Sequence, residues 1–438
     1  MTFSGNTIPY KTEWINAYQL THYKQPVFPV FADEKFKNVL THGSTIKWSY
    51  DSDARVQQLG VDGSYSVGAK TVTDEILTVD QRPTVTFRIP ATERIQDHRP
   101  TQQKWATKAM NRVFWNIDSK VLGLLQAGAA NSLSAGDFGG VSGAPISATT
   151  SNVAAIFAAA RRVLRNNNVI YDVNKRWSGN VKLDTVDRYP VAAIPAELEE
   201  QLLLAIGFKP GDLGDQLLTR GYMNMLFGFN VFVSTALPFT IDYVVASANA
   251  TNGDTFTIGG ITFTLVSGTP SAAGEIKISA VNAAGTAANI AAALTAPFTA
   301  SANYSPLVDS SLTDAQSLTA NMISAVVKSG STVTVKVLGQ GTVAFSDTAA
   351  SLGFDSATSA VHAIFGVSQS IAVVLQKEPE LQVSAGSIIG NGATGGYVAQ
   401  DFVTWCYAGY KVFKQHTYQL VDVPVLASSF SAPLNLYL

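Results

Sequence analysis

The chain has 438 residues and a mass of 46.5 kDa, enough for two or three domains. Charged residues make up 14% and apolar residues 46%, with mean hydropathy +0.15, a balance that excludes a disordered chain and implies surface that is neutral or covered by something else. A net charge of −2 excludes a chain that is basic throughout, as dedicated nucleic-acid binders are, and leaves only local basic faces open.

Residues 1–42 carry Trp14, Tyr18, Tyr23, Phe28, Phe31 and Phe36 without a clean period, and Pro26 and Pro29 are expected to break any helix there. The expectation is an arm that lies along another surface. Ile46, Trp48 and Tyr50 then alternate with polar residues, as do Val85, Phe87 and Ile89, so each run predicts a half-buried strand. Between them Gly60, Gly63 and Gly68 mark the far end of a two-stranded excursion that returns through Val72, Ile76, Leu77 and Val79. Two strands alone are marginal in water, so this ribbon needs a neighbour.

Pro100 and Thr101 open the strongest helix pattern, with Thr101 as N-cap and the helix running to Ala127. Trp105, Ala109, Val113, Ile117 and Val121 recur every four residues, and Lys104, Lys108 and Arg112 form a basic stripe beside them. A second helix is predicted over Ser151–Arg165 with Val153, Ile156, Phe157, Ala160 and Leu164 inward. A strand over Tyr189–Ile194 runs into Pro195, which suits the first helical position, and Glu197, Glu199 and Glu200 follow near the positive end of the helix dipole. Phe229–Ser234 predicts a further strand.

Composition changes near Val244. From there to Val361 about 8% of residues are charged, against about 17% elsewhere. Hairpins are expected over Thr255–Val266 at Gly259-Gly260, and between Thr332–Val337 and Val343–Phe345 around Gly339-Gln340-Gly341, with strand Ile276–Ser279 and an alanine-rich helix over Thr286–Leu294. These predict a separate small α/β domain inserted into a longer unit, and removing it is expected to leave a foldable core. The interrupted unit resumes at Phe365 with a helix or strand through Leu375, and Tyr410–Val423 alternates as a terminal strand.

No constellation carries a reaction. Cys406 is the single cysteine, so neither an intrachain disulfide nor a cysteine-ligated metal is expected. His22, His42, His98, His362 and His416 are scattered and show no metal-ligand spacing. Gly390 to Gly395 matches GxGxxG, but too few residues follow for a dinucleotide-binding unit, so the expectation is a glycine loop. Asp97-His98 with Ser44 or Thr101 offers only the ingredients of a triad. No catalytic residue, cofactor or metal is therefore assigned. The opening residues show no signal peptide, and the uncharged stretch Ile278–Val308 is broken by asparagine, glycine and proline, so no membrane span is expected.

The order of parts, together with TVDQRPTVTFRIPATERIQDHRPTQQKWATKAMNRVFWNIDSKVLGLLQ, YPVAAIPAELEEQLLLA, GDQLLTRGYMNMLFGFNVFVSTALP and GYKVFKQHTYQLVDVPVL, resembles the major capsid proteins of tailed bacteriophages, the Hong Kong 97-like fold. The resemblance implies an α+β chain. Its parts would be an N-terminal arm (1–42), an extended loop (43–99), a peripheral domain with the spine helix (100–188), an axial domain in two parts (189–243 and 362–409), an insertion domain (244–361) and a C-terminal strand returning to the peripheral domain (410–438). It implies self-assembly through hexamers and pentamers into an icosahedral shell around double-stranded DNA, in a virion assembled in the host bacterial cytoplasm. A portal is an implied partner, as are separate scaffold and decoration proteins; a membrane is not. Gln57, Leu59, Tyr65 and Lys70 would make the intersubunit loop, and Lys104, Lys108 and Arg112 would meet DNA without base specificity. An encapsulin-like nanocompartment and a β-rich tail or adhesin protein are the alternatives. The short aromatic arm predicts no cleaved scaffolding segment. Lys70 and Lys47 lie in a loop rich in glycine and serine rather than in an apolar pocket, so no isopeptide crosslink is expected there.

Overall fold

The structure is a computed structural model that describes residues 26–33, 43–51, 61, 64, 70–90, 101–167, 169, 189–207, 225–246, 249–339, 344–348, 351–383, 387–390 and 396–427. Gln57, Leu59, Tyr65, Asp97, His98 and most of the arm lie outside them, as does the side chain of Lys104.

The chain enters through a single helical turn, α1 (Phe28–Phe31), and a two-residue strand, β1 (Ala32–Asp33). The prolines do not forbid this turn, because Pro29 sits at its start, where a missing N–H is not needed. Among the described residues, strands β2 (Thr45–Asp51) and β3 (Val72–Thr78) pair only with each other, in the register Thr45↔Thr78 to Asp51↔Val72. Strand β4 (Thr84–Pro90) leaves for another sheet. Helix α2 (Thr101–Gly128) has 28 residues, so it spans about 42 Å. Thr101 is its first helical residue rather than its cap. Ala109, Val113, Ile117, Val121, Leu122 and Leu125 are buried along one face.

After β5 (Asn131–Ser132) comes α3 (Val153–Asn166), whose Val153, Ile156, Phe157, Ala160 and Leu164 are all buried, as their spacing requires. Strand β6 (Pro190–Ile194) passes through Pro195 into α4 (Ala196–Gly207), which has Glu197 and Glu199 in its first turn. Strands β7 (Met225–Leu226), β8 (Phe229–Val233) and β9 (Phe239–Val245) follow. Next are β10 (Thr255–Ile258), β11 (Ile261–Val266), β12 (Glu275–Lys277), α5 (Ala283–Thr295), α6 (Asp314–Met322), β13 (Ile323–Ser329), β14 (Thr332–Val337) and β15 (Phe345–Asp347). The chain closes with β16 (Leu352–Val367), β17 (Ile371–Val383), β18 (Ser387–Gly390), β19 (Gly396–Lys411) and β20 (Val421–Leu426).

Three larger sheets result. The first has nine strands in the order β13-β14-β9-β16-β6-β8-β7, with β20 pairing β16 and β5. The second has five, β1-β17-β19-β18 with β4 on β19, and lies against α2. The third is β12-β11-β10-β15. A shared apolar core runs from the buried face of α2 through β9 and β14 to Phe256, Leu265 and Ile290 of the segment after Val244. A second core packs Phe157, Phe229 and Phe365 edge to face, with centroids 5.0–6.3 Å apart, under α3.

Several sequence expectations change. Thr332–Val337 pairs with Ile323–Ser329 across Gly330 (φ +49), and Phe345 of the expected partner run Val343–Phe345 instead joins β10, Val343 lying outside the described residues. The tight Gly330-Ser331 turn, with left-handed backbone at Gly330, reverses the chain between β13 and β14. Strand β14 then pairs with β9 along its whole length, so the segment after Val244 extends the nine-stranded sheet. Of the expected second axial part, 362–409, residues 362–367 share the nine-stranded sheet with β6, whereas β17, β18 and β19 lie in the sheet against α2. The turn between them holds Gln369 at φ +65. Tyr410–Val423 is not one strand, because a 3-10 segment, Lys414–Gln419, carries the chain from the five-stranded to the nine-stranded sheet. Gly390 and Gly396 are cross-strand partners, so among the described residues the element that follows the GxGxxG match is a strand; residues 391–395 lie outside them.

Candidate intersubunit and nucleic-acid surfaces

Among the described residues no cluster could hold a metal ion, and no helix is long and apolar enough to cross a membrane. The Cys406 thiol is buried, and burial pushes its pKa up to about 11, which leaves it a small core residue rather than a nucleophile.

The ribbon β2–β3 has two different faces. Ile46, Trp48, Glu75 and Leu77 turn toward the body of their own chain. Leu77 is buried, and Trp48 stacks on Phe413 at 5.9 Å. Glu75 receives Lys411 at 3.5 Å and the Lys414 amide at 3.1 Å. A side chain at Gly409 would meet the Thr78 carbonyl, so glycine there lets the ribbon base approach the sheet closely. On the other face Val72 and Ile76 are 58% and 54% exposed among the ion pairs Lys47–Asp74 and Lys70–Asp51, both 2.6 Å. Lys70 is thus held at the mouth of the loop; Gln57, Leu59 and Tyr65 lie outside the described residues.

Of the basic stripe, the described side chains do not stand clear of the body. Lys108 and Arg112 are each half-buried next to Ala109 and Val113. Farther along α2, Lys120 Nζ donates to Gln81 Oε1 at 2.8 Å, and burial holds its pKa below the usual lysine value. The outer face of the five-stranded sheet carries Lys377 over the Trp405 ring at 3.9 Å, Arg82 over Tyr407 at 5.1 Å and the Arg88–Asp401 pair at 2.6 Å.

A polar row that sequence reasoning missed crosses the nine-stranded sheet under the last turns of α2. Lys336 and Thr240 are register partners, and His362 and Asp422 continue the row diagonally across β16 and β20. Lys336 Nζ donates to Gly123 O at 3.0 Å and to Gln126 Oε1 at 2.5 Å. Gln126 Nε2 donates to Asp422 Oδ2 at 3.0 Å. Asp422 Oδ1 lies 2.8 Å from His362 Nδ1, and His362 Nε2 lies 2.7 Å from Thr240 Oγ1. Burial pushes the Lys336 pKa down to about 8. Thr240–His362–Asp422 has the distances of a hydroxyl–imidazole–carboxylate relay. Thr240, however, lies inside a continuous strand rather than at an exposed turn, and both imidazole nitrogens of a buried histidine need partners in any fold. These residues span about 300 positions of sequence, and only strand register unites them. The one local signal is Lys336, a lone charge in the alternating run Thr332–Val337.

No protein family model matches this chain, and no curated protein matches it in sequence. Among solved structures it is similar to one from Mycobacterium phage Che8 (11% identity, 91% of each chain covered, TM-score 0.48). It is also similar to the capsid structure of cyanophage P-SCSP1u (10% identity, 92% of this chain and 89% of that chain, TM-score 0.48). A third is the capsid of Ralstonia phage GP4 (8% identity, 93% of each chain, TM-score 0.42).

Proposed function

We propose that this chain is a structural major capsid protein with the Hong Kong 97-like arrangement. In this reading it self-assembles through hexamers and pentamers into the icosahedral shell that encloses the double-stranded DNA of a tailed phage. The observation that carries the reading is the ribbon β2–β3. Among the described residues it pairs with no further strand, one face is seated on its own chain, and the other presents Val72 and Ile76 to the outside. A two-stranded ribbon with exposed apolar residues gains stability when a second copy covers it. The long helix against a sheet, and the α3/β6/α4 unit beside it, supply the body from which such a ribbon projects.

In this reading the protein is a virion component assembled in the host cytoplasm, with a portal and separate scaffold and decoration proteins as partners, and it performs no catalysis. Lys104, Lys108 and Arg112 meet packaged DNA through phosphate contacts alone, which are weakened by salt. Sedimentation of the expressed chain tests the reading: closed particles are expected, and a chain that stays monomeric at all concentrations contradicts it. Replacing the three basic residues by glutamate is expected to leave assembly intact and lower the retained DNA; unchanged DNA content refutes the DNA-facing role.

A further inference from the structure

The buried stripe of α2 repeats every four residues through Ala109, Val113, Ile117, Val121 and Leu125. Apolar burial is not directional. A slide of the helix by one four-residue repeat, roughly 6 Å with a rotation of about 40°, therefore lays the stripe back on itself at little cost in apolar contact. What distinguishes one register from the next must come from residues that break the repeat. Two such points exist. At Asp118, 1% exposed, Oδ1 accepts the Val27 and Phe28 amides at 2.9 and 2.6 Å. The other is the C-terminal half of the helix. There Gly123 leaves room for Leu338, Gly339 (φ +67) lies against Ser119 and Trp115, and Gln126 bridges Lys336 to Asp422.

We infer that Lys336, Gln126 and Asp422 act as positioning residues that fix the register of α2 over the nine-stranded sheet and so set the shape of the subunit that enters the shell. Directional polar contacts inside an otherwise apolar contact select one arrangement among near-equals, even where apolar replacements would stabilise as well. The strand that supplies Lys336 belongs to the segment after Val244, which thereby takes part in placing the helix. This inference goes beyond the shell reading, and only its second readout rests on it.

The test is the variant Lys336→Met/Gln126→Leu. Amide hydrogen exchange of residues 119–128 in the soluble chain is expected to speed up on the order of tenfold, with the transition temperature equal to or above the parent's. Particles of this variant are expected to be heterogeneous in diameter. The conservative variant Lys336→Arg, which keeps a cationic donor, is expected to restore both. Unchanged exchange in the double variant overturns the inference, as does an equal speeding of exchange in every helix, which is the mark of general destabilisation. If the double variant does not fold, Gln126→Met decides by the same exchange measurement. Should the parent form no particles, the shell reading fails while the exchange result still judges the register role.

Discussion

Replacing Lys336 by methionine is expected to stabilise the protein near neutral pH and to lose that advantage in alkali. In the folded chain burial lowers the lysine's pKa to about 8 from its usual 10.5. A base with a depressed folded pKa is penalised whenever it must carry its proton. The unfolded chain binds more protons between pH 8 and 10.5, so stability rises through that window and the penalty is fully present below it. The difference of about 2.5 units corresponds to roughly 3 kcal/mol at pH 7. Removing the ammonium leaves Gln126 Oε1 without its donor, which costs about 1 kcal/mol. The variant should therefore gain about 2 kcal/mol at pH 7, or roughly 2 °C in transition temperature for a chain of this length. The assay is differential thermal unfolding of parent and variant from pH 7 to 10.5. The gap is expected to close, and to reverse slightly, at the alkaline end. A gap independent of pH, or a variant less stable at pH 7, refutes the reasoning.

Phe365→Ala should cost about 3–5 kcal/mol, since the ring is fully buried between Phe157 and Phe229; a loss below 1 kcal/mol in unfolding experiments would contradict this packing. Replacing residues 246–351 by a short Gly/Ser linker should give insoluble product, because Phe239, Ile241, Tyr243 and Val245 lose the cover of the segment that packs on them and β9 loses β14. A soluble, cooperatively folding product would instead support an independent accessory domain. Lys70→Ala should change the unfolding free energy in denaturant titration by less than about 1 kcal/mol, since the Lys70–Asp51 pair is more than half exposed.

The local elements were legible where one periodicity held without competition. The four-residue repeat from Trp105 to Val121 gave α2, and the alternation of Ile46, Trp48 and Tyr50 gave β2. Partner choice was not legible in the same way. The run at Thr332–Val337 was recognisable as a strand, but its neighbours are set by the Gly330-Ser331 turn and by β9, about ninety residues earlier. The Tyr410–Val423 alternation spans two strands because Phe413 and Leu420 are buried on either side of a 3-10 segment, and residue pattern alone does not register that turn. Lys108 and Arg112 were expected on a stripe, yet their half-burial depends on what packs beside α2. The polar row failed to show for the same reason: its members are ordinary residues in separate strands, joined by register.

The central claim is that the ribbon joins copies of this chain into a closed shell. Negative-stain microscopy of the purified parent beside a variant lacking Gln57–Lys70 tests it most directly. The account predicts closed particles for the parent and soluble monomers or capsomers without shells for the deletion. Normal particles from the deletion variant, or none from the parent under any assembly condition, would contradict it.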